Sequence, residues 1–81
     1  MLTEKNKENI TKEIEVIFEN IHGKDSITNM NRKFIIDDYN YFEINTEHSY
    51  FNVDFKIKNN KLLKKSVIIK NVLQEFIKSH S

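Results

Sequence analysis

The chain lacks cysteine, proline, tryptophan and alanine, and it has a single glycine. Without cysteine it can form no disulfide, no thiolate nucleophile and no cysteine-ligated zinc site, so its stability must come from packing. One glycine excludes the glycine-rich loops that bind phosphate groups. No apolar run approaches the ~20 residues of a membrane span, and the first residues are charged and polar. We therefore expect no signal peptide, no transmembrane helix and a cytoplasmic location.

The length and charge of the chain predict one small, nearly neutral domain over residues 1–81, with 13 basic and 12 acidic side chains. A domain of this size buries only ~60% of the surface of its unfolded chain, which leaves little material for a deep catalytic cavity. Isoleucine, lysine and asparagine dominate, and lysine outnumbers arginine 12 to 1. This bias is typical of an AT-rich genome, such as that of a low-GC bacterium or one of its phages or plasmids.

The first segment has apolar residues at helical spacing, which gathers them into one stripe. Thr3 is a suitable N-cap, Glu4 lies near the positive end of the helix dipole, and Gly23 follows where a C-terminal cap is needed. We therefore predict a helix over residues 3–21. Its stripe consists of Ile10, Ile14, Ile17, Phe18 and Ile21.

Three strand-like runs follow, over residues 33–37, 41–46 and 51–58. The third alternates most clearly, with an apolar residue at every second position. A three-residue loop ending with Asn40 in the left-handed conformation, and a four-residue loop over residues 47–50, connect the runs. These loops predict an antiparallel meander in which Ile36 faces Phe42 and Ile44 faces Val53, so that the apolar residues share one side.

The last segment, residues 61–79, returns to apolar residues at helical spacing after Asn59 and Asn60. Asn60 is a plausible N-cap for a second helix. In a rival interpretation, residues 61–65 form a short fourth strand and the helix begins after Ser66. That register points Lys64 inward opposite Phe55, so we favour the longer helix. The expected fold is a two-layer α+β domain of helix, three-stranded antiparallel meander and helix, with both helices on one sheet face.

Catalytic signatures are missing from the sequence. The histidines, His22, His48 and His80, have no zinc-ligand spacing, and no set of Ser, His and acid follows a recognisable elbow. A metal held by His48 with Glu47 and Asp54 would require the loop to fold back. We therefore expect a non-enzymatic protein without cofactor or metal.

The outward face of the predicted sheet is acidic. The predicted registers place Glu43 beside Asp54 in one row with Ile35, and Tyr41 beside Lys56 in the next. Like charges in direct contact destabilise a sheet, and an acidic surface with tyrosine suits a basic partner such as the nucleic-acid groove of another protein. An ordinary solvated face is the alternative interpretation. The candidate protein-binding residues are Asp37, Asp38, Tyr41, Glu43, Glu47 and Asp54.

A basic strip follows the acidic face, because residues 56–70 contain six lysines and no acid. A phosphate backbone is the candidate partner of such a strip, although it offers no arginine for bidentate contacts to bases. A lysine-rich solubilising surface is the alternative. The candidate nucleic-acid-binding residues are Lys56, Lys58, Lys61, Lys64 and Lys65.

The predicted order of helix, three strands and helix resembles the double-stranded RNA-binding domain. The stretch EHSYFNVDFKIKNN and the following LLKKS are similar to that family's loop histidine, its second strand and the lysine pair that opens its second helix. The resemblance covers under half of the chain. It implies that His48, Lys64 and Lys65 approach RNA phosphates and the minor groove.

Surplus apolar residues accompany the predicted second helix: Leu63, Val67 and Ile68 lie beside its main stripe. Either the first helix packs against them or they form a homodimer or partner surface.

Our leading expectation is a small effector of phage or mobile-element origin that inhibits a host nucleic-acid-binding or CRISPR-type defence complex. It would bind a host protein with a basic surface through the acidic face, without a membrane; a nucleic-acid-binding module is the alternative.

Overall fold

The architecture is a helix followed by antiparallel strands. A computed structural model describes residues 2–35 and 40–73. In that part of the chain the strands form one four-stranded sheet in the order β1-β2-β3-β4, and one helix lies over one side of it. The predicted α+β class is confirmed, whereas the predicted three strands and two helices are not. The elements are α1 (Glu4–His22), β1 (Asn29–Lys33), β2 (Asn40–Asn45), β3 (Tyr50–Lys58) and β4 (Lys61–Asn71).

Helix α1 confirms the first prediction, including its caps. The Thr3 side chain accepts a hydrogen bond from the backbone N–H of Asn6 at 3.1 Å. Gly23 ends the helix with a φ of 111° and donates its N–H to the Glu19 carbonyl at 2.8 Å. One member of the predicted stripe is wrong, because Ile21 is 63% exposed beyond the edge of the buried face. The fully buried members are Ile10, Ile14 and Phe18.

Strand β1 precedes its predicted position: the expected strand over residues 33–37 begins where β1 ends, and residues 36 and 37 are outside the described part. Arg32 stands opposite Phe42, the partner that we assigned to Ile36. Its guanidinium Nη1 donates to Glu8 Oε1 at 2.9 Å and to Thr11 Oγ1 at 3.2 Å. An inward position is thus filled by a charged side chain that reaches α1, which an apolar alternation cannot reveal.

Strands β2 and β3 lie within one residue of the predicted runs, but their register differs by two. Ile44 faces Phe51 rather than Val53. The turn between β2 and β3 begins one residue earlier than predicted, because the Thr46 N–H donates to the Ser49 carbonyl at 2.9 Å. A two-residue shift leaves every side chain on its predicted face, so the apolar side of the meander is confirmed although the pairing is wrong.

Asn40 begins β2 and does not take the left-handed loop position that we predicted. It is 1% exposed, and its Oδ1 accepts a hydrogen bond from the Ile35 N–H at 2.6 Å. Positive φ values in the described residues belong instead to Gly23, Asp25, Asn59 and Asn60.

Strand β4 replaces the predicted second helix over Lys61–Asn71. Asn59 and Asn60 have φ values of 54° and 62°, as a two-residue type I′ hairpin turn requires. The rival interpretation was therefore correct in making a strand return from this turn, although the strand is longer than expected. Residues 72 and 73 are helical, and the predicted helix from residue 74 onward lies outside the described residues.

A large bulge in β4 answers the objection to that strand, because Lys64 lies in the bulge and its side chain stays 73% exposed although it reaches the helix side. Lys56 pairs with Leu63 and Asp54 pairs with Ile68, so four residues of β4 oppose the single residue Phe55 and three of them are extra. Ser66 closes the bulge: its Oγ accepts from the Lys56 N–H at 2.7 Å and donates to the Leu63 carbonyl at 2.5 Å. An odd number of extra residues reverses the alternation, which turns the second half of β4 back to the correct face.

The core lies between α1 and the facing side of the sheet. Phe18 of α1 meets Phe51 of β3 edge to face, with ring centroids 5.0 Å apart. Arg32 and Phe34 border the core at the β1 edge of the sheet, and Leu62 borders it at the β4 edge. The buried apolar residues are Leu2, Ile10, Ile14, Phe18, Phe42, Ile44, Phe51, Val53, Phe55 and Leu62.

Candidate functional site

The side of the sheet that points away from α1, here called the outer face, carries most of the predicted site residues. Side chains of β2 and β3 alternate between the core and this face, as their burial patterns show. The middle of the outer face is polar and half-buried. We call its members the central patch: Tyr41, Glu43, Tyr50, Asn52 and Asp54.

Glu43 joins three strands. Its Oε2 accepts a hydrogen bond from the Tyr50 hydroxyl on β3, and its Oε1 accepts one from Asn31 Nδ2 on β1 at 3.3 Å. Hydrogen bonds to a carboxylate are stronger than those between neutral groups. The carboxylate therefore fixes the tyrosine ring and the strand positions as well as presenting negative charge.

Asp54 occupies a different row from Glu43. It stands directly opposite Tyr41 on one side and Ile68 on the other, whereas Glu43 stands opposite Asn52. The predicted direct contact of two like charges is thus wrong, because the two-residue change of register makes the acids diagonal neighbours. Asn52 Nδ2 donates to Asp54 Oδ1 at 3.1 Å along the same strand.

Each acidic row continues to a lysine on an edge strand. Lys70 of β4 follows in the row of Glu43 and Asn52, and Lys33 of β1 follows beside Tyr41 in the row of Asp54. The predicted row of Ile35, Glu43 and Asp54 is therefore wrong. The centre of the outer face is acidic and its margins are basic, which favours a partner whose positive charge is concentrated in the middle of the contact.

The basic strip divides in two. Lys58 stands directly opposite Lys61 across the Asn59-Asn60 turn, with Lys56 one position farther along the same face. These three lysines, here called the basic hairpin, form the charged end of the outer face. The other two candidate nucleic-acid-binding residues, Lys64 and Lys65, lie in the bulge of β4.

Lys64 and Lys65 do not open a helix, which contradicts the basis of the resemblance to the double-stranded RNA-binding domain. Lys64 reaches to the helix side, where its Nζ lies 3.8 Å from Glu13 Oε1. Lys65 is exposed in the bulge. The structure therefore does not bring these lysines together with His48, which lies in the turn after β2.

The remaining predicted acids are Asp37, Asp38 and Glu47. Asp37 and Asp38 are outside the described residues. Glu47 and His48 are exposed in the turn between β2 and β3, with His48 Nε2 3.8 Å from Glu47 Oε1. In the two described segments of the chain, no group of three histidine or acidic side chains gathers as a metal ion would require.

The surplus apolar residues lie on β4 rather than on a helix. Val67 faces the core and packs against it. Leu63 and Ile68 point to the outer face opposite Lys56 and Asp54, and Ile68 is 54% exposed. They remain candidates for a partner surface; Ile68 is exposed, whereas Leu63 is half-buried.

Tyr50 and Asn52 are the members of the central patch that the sequence analysis did not name as site residues, and Tyr50 was placed in a loop. The signal was present, because Tyr50, Asn52 and Asp54 continue the polar alternation of β3 by one step. Lys58 and Lys61 were named as candidates, but their position directly opposite each other was not predicted, although two asparagines between them are typical of a hairpin turn.

Comparison of the chain with protein-family models, with curated proteins and with solved structures finds no match. No helix in the described residues is long and apolar enough to cross a membrane.

Proposed function

We propose that this chain is a non-enzymatic protein that binds a partner protein through the central patch of the outer face. The expected partner presents a basic surface, such as a groove that otherwise holds nucleic acid. The small size of the chain and an amino-acid composition typical of AT-rich genomes support an effector of phage or mobile-element origin. Such an effector would inhibit a host defence complex of the CRISPR type or another nucleic-acid-binding complex.

The observation that carries the proposal is the preorganisation of the central patch. Two tyrosines and two carboxylates project from adjacent strands of one sheet, and Tyr50 is held by Glu43 across the strands. Side chains fixed before binding lose less conformational entropy when a partner arrives. Tyrosine is also enriched where protein interfaces bury their centres.

An arginine-rich model peptide tests this proposal, because it supplies basic chemistry without requiring a known partner. We expect amide chemical-shift changes in a titration followed by NMR to concentrate on β2 and β3, around Tyr41 and Asp54. Replacing Asp54 with Asn keeps the acceptor for Asn52 but removes one negative charge, and it should weaken binding by about two- to fivefold. The dissociation constant is read from the same titration.

The matched control is Glu15→Gln, which changes the net charge equally but lies on α1. It should leave the affinity unchanged within about 1.5-fold, since screened charges on the far side of the domain contribute little. If the peptide shifts map to the acids of α1, or if both variants weaken binding equally, the central patch is not the binding surface.

A second candidate function is supported by the opposed lysines of the basic hairpin. Like charges directly across a ladder destabilise it, and Lys58 and Lys61 nevertheless stand opposite one another. An anion bound between them would remove this repulsion. A nucleic-acid phosphate backbone is the candidate ligand.

For this second function we expect duplex RNA or DNA to bind with strong salt dependence. If the three lysines of the basic hairpin each contact a phosphate, affinity should fall about 40-fold between 50 and 200 mM salt. Fluorescence anisotropy with labelled duplexes and single strands measures it. The Lys58→Glu and Lys61→Glu double variant should abolish binding, and Lys65→Glu with Lys24→Glu serves as a control with the same charge change. The absence of binding at low salt would rule this candidate out.

A further inference from the structure

A groove between the first half of α1 and the Asn59-Asn60 turn adjoins the basic hairpin. Its volume is about 500 Å³, and sites for small organic groups span about 300–1,000 Å³. Asn6 and Asn9 line it from the helix, and Asn60 lines it from the turn. Segments that are distant in sequence thus bring three side-chain amides to one place. We call this groove, with its charged rim of Lys12, Glu13 and Lys61, the amide groove.

The amides of the groove have no structural role that would occupy them. The side chains of Asn6, Asn9 and Asn60 make no hydrogen bond within the described part of the chain. In contrast, the side-chain amides of Asn31 and Asn40 are bonded to partners in the fold. Each asparagine amide has one acceptor oxygen and two N–H donors. The amide groove therefore offers donors and acceptors together, which suits a neutral ligand with hydrogen-bonding edges.

The rim of the amide groove is positively charged. Glu13 is the acid among the lining residues, and its Oε1 lies 3.8 Å from the Nζ of Lys64, which is not part of the groove. Lys12 and Lys61 have no acidic partner among the described residues. Lys61 also stands directly opposite Lys58 in the basic hairpin. An anion bound by the basic hairpin would therefore lie beside the amides.

We propose that the amide groove holds an unpaired base of a single-stranded nucleic acid whose phosphates bind the basic hairpin. A nucleotide joins a neutral planar group with hydrogen-bonding edges to an adjacent anion, and the groove and the hairpin offer the complementary groups side by side. Asparagine matches a base edge with its N–H donor and C=O acceptor, as in its bidentate contact with adenine. Bases of single strands expose these edges to proteins.

The amide groove is expected to select single strands over duplexes. In a duplex the bases are paired and stacked inside the helix, so a base enters a protein pocket only if it is first extruded. This inference rests on the second candidate function, because the basic hairpin supplies the phosphate contacts. It names the substrate class of that site, which the lysines alone leave open between duplexes and single strands.

Labelled strands of about eight nucleotides test the amide groove, a length within the site sizes of small single-strand-binding domains. Adenine strands of RNA and of DNA form two arms, because both carry the same base and phosphate chemistry. An abasic strand of the same length keeps the phosphates and lacks the bases. Fluorescence anisotropy at low salt should give roughly tenfold tighter binding of the adenine strands than of the abasic strand, as one good base contact supplies.

Substitution of both helix amides separates base recognition from phosphate binding. The double variant Asn6→Ala with Asn9→Ala should bind the adenine strands no better than the abasic strand, and it should bind the abasic strand as the unmodified chain does. Alanine favours a helix, so α1 should be retained, and circular dichroism verifies it. The control is Asn20→Ala, at an exposed asparagine of α1 outside the amide groove. It should leave both affinities unchanged.

The results distinguish this inference from the function on which it rests. Equal binding of adenine and abasic strands would leave the basic hairpin as a phosphate-binding site and would overturn the base site alone. A double variant that weakens both kinds of strand equally, or neither of them, would overturn it as well. If no strand binds at low salt, the second candidate function fails and the base site fails with it.

Discussion

Replacing Phe42 with alanine is expected to destabilise the protein by about 3–5 kcal/mol, the largest effect that we predict for a single substitution. The Phe42 ring is 0% exposed and lies between Phe34 and Phe55, with ring centroids 5.2 Å and 4.8 Å away in edge-to-face geometry. Truncation removes both aromatic contacts and leaves a cavity that a rigid sheet closes poorly. A chain of this size has a total stability of about 4–12 kcal/mol, so much of it would be lost.

Urea unfolding followed by circular dichroism measures this effect as a change in the midpoint at constant slope. The control is Ile35→Ala, which truncates an exposed apolar residue and should change the free energy of unfolding by less than about 0.5 kcal/mol. Equal losses for both variants would contradict the position of the core between α1 and β2.

The elements predicted correctly are those whose signals are local. Thr3 and Gly23 mark the ends of α1 within the sequence itself, and the alternation of β3 is unbroken from Tyr50 to Lys58. β4 was predicted as a helix because its bulge breaks the alternation by three residues. Apolar residues on either side of such a break fall at spacings that imitate a helix, and the hydrogen bonds of Ser66 that close the bulge are not visible in the spacing.

The site was predicted in outline, since the correct face depends only on alternation. Tyr41, Glu43 and Asp54 do share the outer face, but which of them are neighbours depends on the register of β2 and β3. The register is set by the closure of the turn at Thr46, whose backbone and hydroxyl group form hydrogen bonds with Ser49 that composition does not reveal. The inward position of Arg32 could not be predicted from the local sequence either, because its hydrogen-bond partners on α1 are distant in sequence.

Asn40 is the buried polar residue whose loss is expected to have the second-largest effect. Its Oδ1 accepts a 2.6 Å hydrogen bond from the Ile35 N–H, which lies just after β1, while Asn40 itself begins β2. The side chain thus ties together the two ends of the connection between these strands. Replacing it with alanine removes the acceptor and leaves a small cavity, so we expect a loss of about 1–3 kcal/mol.

Hydrogen exchange distinguishes this role from a general loss of packing. In Asn40→Ala the Ile35 amide should exchange faster by more than the global loss of stability explains, because its acceptor is gone. The control Asn29→Ala removes an exposed asparagine from β1 and should leave both stability and the Ile35 amide unchanged. If the Ile35 amide stays protected in Asn40→Ala, its hydrogen bond to the side chain does not hold the strands together, and the loss of stability must come from packing alone.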